Sequence, residues 1–270
     1  MRIGVMVGLQ PDIEGAFKQL REIGLSGCQL CGWDETLFTE EIAGKVKAVV
    51  NSLGLRISTF WCGWPGPKVW NFYEGQEVLG LVPPAYRYAR AEVLKRGSDF
   101  ARLLGVDQIA THAGFIPENP NDPNYPGVVA VLKDIVARCR RNGQRFLFET
   151  GQETPVTLLR LIEDLGVNDV GVNLDPANLL LYGKANPVDA LDIIGTYVYD
   201  IHAKDGEYPT DGCHLGEEKP LGKGRVDFPR LIGKLKSLGY DGPITIEREI
   251  SGEQQKKDIL EAIALLKQLW

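Results

Sequence analysis

Apolar alternation and helical periodicity take turns along all 270 residues. Short β-branched and aromatic runs over 2–7, 27–30, 55–61, 107–112, 144–149, 169–175, 197–203 and 243–247 read as strands. Between them apolar residues recur at helical spacing over 11–23, 39–52, 85–104, a stretch ending near 141, 155–165, 187–194, 228–238 and 253–269. Pro11 and Asp12 open the first helix and Gly54 follows the second, as helix termini prefer. The segment 62–84, rich in Gly, Pro and Trp, is too long for a bare connector. A four-proline loop over 113–126 and a polar stretch running to Val226 are the other long connections.

Strict alternation of strand and helix implies a parallel sheet. Eight units over this length imply closure into one (β/α)8 TIM barrel, a single α/β domain over 1–270. An open doubly wound sheet would want a Gly-rich phosphate turn after the first strand, and Val7-Gly8-Leu9-Gln10-Pro11 is not one. No linker or low-complexity segment interrupts the pattern.

Charge narrows the partners. The formal net charge is −6 with no basic block, which argues against a nucleic-acid surface. No apolar run has the length of a membrane span, and the first seven residues read as a strand, not a signal peptide. A cytoplasmic enzyme acting on a small molecule is the expectation. Of the cysteines, Cys28 and Cys31 form a lone C-x-x-C with no second pair, so a zinc knuckle is disfavoured. All of them, with Cys62, Cys139 and Cys213, are read as reduced thiols.

The run from Tyr199 to Gly206 begins as a strand and ends abruptly in His202, Lys204 and Asp205. Ligands bind at the carboxyl ends of barrel strands. Glu149, Asp175 and Glu247 end three further strands in the same way, each after an apolar stretch. Adjacent strand ends line one cavity, so these four residues are expected to converge. Three carboxylates in a low-dielectric mouth would repel one another, and a divalent cation resolves the conflict. Three carboxylates with one imidazole suit Mn²⁺ first, with Mg²⁺, Co²⁺ or Zn²⁺ as alternatives.

The motifs F-E-T-G-Q-E at Phe148–Glu153, N-L-D-P-A-N at Asn173–Asn178 and I-H-A-K-D at Ile201–Asp205 carry a resemblance. So do G-K-G-R-V-D-F at Gly222–Phe228 and G-Y-D-G-P-I-T-I-E at Gly239–Glu247. The chain resembles the sugar (phosphate) isomerase/epimerase superfamily with the xylose isomerase-like barrel. That group includes ketose 3-epimerases, hydroxypyruvate isomerase, inosose dehydratase and endonuclease IV. The resemblance implies metal binding by Glu149, Asp175, His202 and Glu247, with Glu149 and Glu247 also moving protons on opposite faces of a sugar. It implies homodimers or homotetramers as well. Arg225 resembles an arginine that contacts substrate oxygens in relatives. Asn178 stands where epimerases of this type commonly carry histidine, which separates the chain from the ketose 3-epimerase pattern.

His112 and Lys204, at strand ends, are candidates to bind hydroxyls or a carboxylate. Trp61, with Trp33, Trp64 and Trp70, offers aromatic planes suited to the apolar faces of a sugar. Glu153 reads equally as a second substrate-facing acid or as a helix N-terminal charge, and His214 as a solvated loop residue. The leading expectation is a metal-dependent isomerase or epimerase of a sugar, keto-sugar or polyol derivative, working through an enediolate. The alternative is a dehydratase acting on a keto-sugar or inosose. An endonuclease IV-like trinuclear zinc site would need more than the three histidines present. A sugar-binding barrel without turnover is disfavoured by the paired glutamates. With no helix-terminal glycine cluster to cradle a phosphate, an unphosphorylated substrate is expected.

Overall fold

The computed structural model describes residues 2–270. In chain order the strands are β1 (Arg2–Gly8), β2 (Gly27–Gly32), β3 (Arg56–Cys62), β4 (Gln108–Thr111), β5 (Arg145–Glu149), β6 (Val170–Leu174), β7 (Val198–Ala203), β8 (Asp205–Gly206), β9 (Glu218–Lys219) and β10 (Pro243–Ile246). The α-helices are α1 (Glu14–Glu22), α2 (Glu40–Ser52), α3 (Gly75–Val78), α4 (Pro84–Leu104), α5 (Tyr125–Arg141), α6 (Pro155–Leu165), α7 (Pro176–Leu181), α8 (Pro187–Ile194), α9 (Phe228–Ser237) and α10 (Glu253–Leu269). Eight parallel strands close into a barrel in the order β1-β10-β7-β6-β5-β4-β3-β2. The seam is the pairing of β1 with β10, from Arg2↔Pro243 to Val5↔Ile246.

Each strand sends alternate side chains to opposite faces. Ile3, Val5, Phe146, Phe148, Ile244 and Ile246 pack in the large core between sheet and helices. Leu147, Ala110 and Trp61 belong to a smaller cluster with Met6 and Cys31 alongside. Counting in twos from Leu147 reaches Glu149, so the period of the strand itself aims that acid into the barrel mouth. The same alternation takes β7 from Asp200 to His202.

Helix boundaries follow local chemistry. Thr154 caps α6 through the Thr157 amide, with Pro155 at its first position, and Asn186 caps α8 through Val188 and Asp189. Both helices match their predicted ranges, as does α10. The helix expected from residue 11 begins at Glu14 instead, because Ile13 carries no side-chain cap and the turn before it stays irregular. The pattern missed α7, a short buried helix directly after β6, and the antiparallel β8–β9 ladder inside the loop leading to Val226.

Two connections roof the barrel. The 62–84 segment crosses the loop after β4 at Gly80 and Gly114, both with positive φ. A Cβ on Gly80 would lie 2.1 Å from the Ala113 carbonyl oxygen, so only glycine permits this crossing. Arg90 of α4, fully buried, clamps the segment from beneath through the carbonyls of Pro65, Pro67 and Gly80. Burial pulls its guanidinium down to about 10, which leaves it charged at neutral pH. The second roof, 207–217, returns over Leu181, and Tyr73 and Cys213 bring the two roofs together at 3.3 Å. Among the described residues, no helix is long and apolar enough to cross a membrane, and all five cysteines are free.

Candidate metal centre

Glu149 closes β5, His202 lies near the end of β7, and Asp175 and Glu247 follow β6 and β10 directly. One ligand-type atom from each lies within 4.8 Å of all the others. The imidazole is central: His202 Nδ1 is 3.1 Å from Glu149 Oε1, 3.1 Å from Glu247 Oε2 and 3.7 Å from Asp175 Oδ2. Three of these atoms, Asp175 Oδ2, His202 Nδ1 and Glu247 Oε2, are buried without a hydrogen-bond partner. Buried polar atoms left so are rare, and a group of them facing one point could be completed by a divalent cation. The donor set is three hard oxygens and one imidazole, which fits a divalent ion.

The supporting contacts hold each ligand in place. Asp175 caps α7 with its Oδ1, 2.9 Å from the Asn178 amide, which turns its Oδ2 inward. The short helix that the sequence reading missed therefore aims a ligand. Behind His202, Nε2 lies 3.0 Å from Gln29 Oε1 and 2.9 Å from Asn173 Nδ2, while Gln29 Nε2 donates to Asn173 Oδ1 at 3.1 Å. Trp61 Nε1 donates to Glu149 Oε2. His112 Nε2 and Asn178 Nδ2 each approach Glu149 Oε1 to 3.4 Å.

Electrostatics follow from this crowding. Burial opposes a charge on His202, but the carboxylates of Glu247 and Glu149 outweigh it and hold the imidazole well above its usual range. Lys204 shows the same contest: burial against Glu247, Asp175 and Glu249, with the carboxylates winning. Its ammonium lies 3.3 Å from Glu247 and 3.0 Å from Glu249. Burial raises Glu247 while Lys204 and His202 lower it, and the cations prevail, so this carboxyl stays far below the ordinary range.

A cavity of about 230 Å³ opens over the cluster, lined by Glu149 and Glu247 together with His112, Trp61 and Asn178 from the sequence-derived set. Trp33 and Trp70 line it too, whereas Trp64 is buried beside them, its ring 5.5 and 6.1 Å from theirs. Lys204 is not on the lining; it stands behind the carboxylates. Arg225 is exposed, on the turn before α9, and is not brought to the cavity. The turn is instead held by Asp205, whose carboxylate accepts from the amides of Gly206, Gly222, Gly224 and Val226. His214 is exposed and pairs with Asp211 at 3.0 Å. Glu153 is buried, not a surface helix-end charge. Gln29, Asn173, Gln152, Tyr182 and Glu249 are site residues that sequence reasoning did not identify. The first two had a signal in polar residues midway along apolar strands. A larger hollow of about 650 Å³ between α1 and α10 shares Met6, Glu247 and Glu249 with this cavity but is not lined by Glu149, Asp175 or His202.

A family model for the xylose isomerase-like TIM barrel matches residues 17–269. Among solved structures, a xylose isomerase domain protein from Planctomyces limnophilus is 34% identical, with 99% of this chain and 96% of that chain covered and a TM-score of 0.93. A D-psicose 3-epimerase from Clostridium cellulolyticum H10 is 14% identical, with 100% and 99% covered and a TM-score of 0.74. The probable 3-DHS dehydratase AsbF of Bacillus anthracis is 16% identical, with 98% of each chain covered and a TM-score of 0.72. An uncharacterized protein of Methanocaldococcus jannaschii is 27% identical over 183 residues, 67% of this chain. The chain spans about half the length of that curated relative, 53% of it.

Proposed function

The chain belongs to the xylose isomerase-like TIM barrel family, and from that membership and its four converging ligands we propose a divalent-metal-dependent isomerase or epimerase. Its substrate is a sugar, keto-sugar or polyol derivative. The observation that carries this reading is the set of buried, unpartnered atoms on Asp175, His202 and Glu247. With Glu149, these residues would hold one divalent ion, Mn²⁺ by preference. When bound, that ion would supply Lewis-acid stabilisation of negative charge developing on the substrate oxygens, worth several kcal/mol.

The remaining work falls to the chain's own side chains. Glu247 has the most open side chain of the four, 15% exposed, and lines the cavity. Lys204 keeps it ionised, so it enters the reaction able to accept the hydrogen α to the substrate carbonyl. Glu149, fixed by Trp61 and His112, is the partner that returns the proton from the other side. The indoles of Trp33, Trp61 and Trp70 exclude water from the cavity and offer flat apolar surface to a sugar ring. Assembly as a dimer or tetramer and residence in the cytoplasm belong to the same proposal.

One observation favours a second outcome from the same intermediate. Asn178 lies 3.4 Å from Glu149, and an amide cannot relay a proton. A substrate with a leaving hydroxyl β to the carbonyl would then lose water, as a dehydratase requires. The test is metal analysis of the purified protein, followed by incubation of keto-sugars and inososes in deuterated water. One equivalent of divalent metal and carbon-bound deuterium support the proposal. Metal-free protein that neither takes up Mn²⁺ nor exchanges any compound would overturn it.

A further inference from the structure

The cavity that the carboxylates line also holds a second set of buried polar groups that proton transfer does not employ. Gln152 is 1% exposed, and neither atom of its carboxamide has a hydrogen-bond partner. Tyr182, at the end of α7, is 6% exposed, and its hydroxyl is likewise unpartnered. The two side chains are close neighbours, near enough for the Gln152 carboxamide to pull against the rise that burial imposes on the Tyr182 phenol, and both line the cavity. They come from separate elements, the loop after β5 and the end of the helix after β6. Leaving such groups dry and unpaired is costly unless a ligand completes them.

The cavity also has a one-sided charge. Glu149, Glu247 and Glu249 line it, and no lysine or arginine does so among the described residues. Burial pushes the Tyr182 phenol up to about 12, so it presents an O–H throughout the neutral range. A carboxamide and a phenol each offer both a donor and an acceptor. A hydroxyl group offers the same pair. A phosphate or carboxylate brings acceptors alone, and among the described residues no lysine or arginine lines the cavity beside Gln152 and Tyr182 to receive one.

Building on the proposed reaction, we propose that Gln152 and Tyr182 form a neutral subsite that binds hydroxyls on the part of the substrate remote from the reacting carbons. The substrate class narrows to uncharged polyhydroxy ketones of about one ring. Phosphorylated sugars and keto-acids are excluded. Discrimination of this kind is strong because a site built to bond a hydroxyl is left unpaired by a substrate that lacks it.

The experiment uses metal-loaded enzyme and the variants Tyr182→Phe and Gln152→Leu. D-fructose, D-tagatose and an inosose are compared with fructose 6-phosphate and 3-dehydroshikimate. Deuterium exchange is one readout, and quenching of the cavity tryptophans on binding is the other. The expected result is exchange and binding with neutral compounds only. Each variant should raise KM and Kd by about tenfold or more while kcat, metal content and melting temperature hold. Unchanged KM and Kd in both variants would overturn the subsite and leave the reaction standing. So would equal turnover of a phosphorylated or carboxylated compound. Binding that weakens in the variants without exchange by any form of the enzyme would overturn the reaction and leave the subsite. If no neutral compound binds, the subsite falls.

Discussion

Gln29 Oε1 lies 3.0 Å from His202 Nε2, on the side of the imidazole opposite the carboxylates. An Nε2–H donating to this oxygen leaves the Nδ1 lone pair facing Glu149, Asp175 and Glu247. Partners behind a ligating histidine set both its tautomer and its basicity. Gln29→Leu keeps the volume and removes the acceptor. It is expected to weaken Mn²⁺ binding by roughly 10–100-fold while the circular dichroism spectrum is unchanged. Calorimetric titration of the metal-free variant measures this, and an unaltered affinity would refute the role.

Metal must compete with a proton at His202. The raised imidazole pKa has burial against it and Glu247 and Glu149 for it, so in metal-free protein the ring is charged at neutral pH. Binding should release about one proton, and affinity should fall about tenfold per pH unit on the acid side of that pKa. Titrations in buffers of different ionisation enthalpy count the proton. The same linkage bears on stability. His202 contributes most to the metal-free fold below its unfolded pKa, near the model-peptide value of 6.5, and loses that contribution as pH rises through its folded pKa. Glu247 behaves oppositely, contributing above 4.5 and losing its effect only in strong acid.

The two glutamates should be separable from the other ligands by chemistry. Glu247→Gln and Glu149→Gln retain size and some coordinating ability but remove the basic oxygen. Each is expected to lower deuterium exchange by about 10²–10⁴-fold, with a smaller change in metal content. If either variant exchanges at the parent rate once loaded with metal, the acid–base assignment for that residue fails.

Glu153 is a source of pH-dependent instability. Burial pushes its carboxyl from 4.5 up to about 8, and neither oxygen has a hydrogen-bond partner. The folded chain therefore holds a proton that the unfolded chain releases, and stability falls as pH rises from about 4.5 to about 8. Glu153→Gln should raise the melting temperature at pH 8 by at least about 2 °C more than at pH 5. Equal shifts at both pH values would count against it.

Arg90 answers three carbonyls of the tryptophan-rich roof, those of Pro65, Pro67 and Gly80. Arg90→Met fills the space yet strands those acceptors. A loss of roughly 2–4 kcal/mol is expected. Faster proteolysis within residues 62–84 than elsewhere would locate the loss in the roof.

Much of this protein is written locally. Eight strands announced themselves by β-branched and aromatic runs, and α6, α8 and α10 by apolar residues at helical spacing. The four ligands were legible because each is a charge at the end of an apolar strand, a position that only a shared cavity explains. The short helix α7 went unseen, though Asp175 at the cap and Pro176 at the first position were a usable signal. With α7 went Tyr182.

What the chain order could not express is the partnership of residues far apart in it. Gln29 and His202 are separated by 173 positions and meet only because β2 and β7 face each other across a closed barrel. Lys204 and Arg225 carry the same charge on paper. Burial among carboxylates places one behind the metal centre, while the other stays in water. Side-chain period and capping are properties of a few neighbouring residues, so sequence alone determined the strands, the barrel and the acids at its rim. Pairing, burial and the unfilled bonds of Gln152 depend on which surfaces closure presses together, and only the tertiary structure decided those.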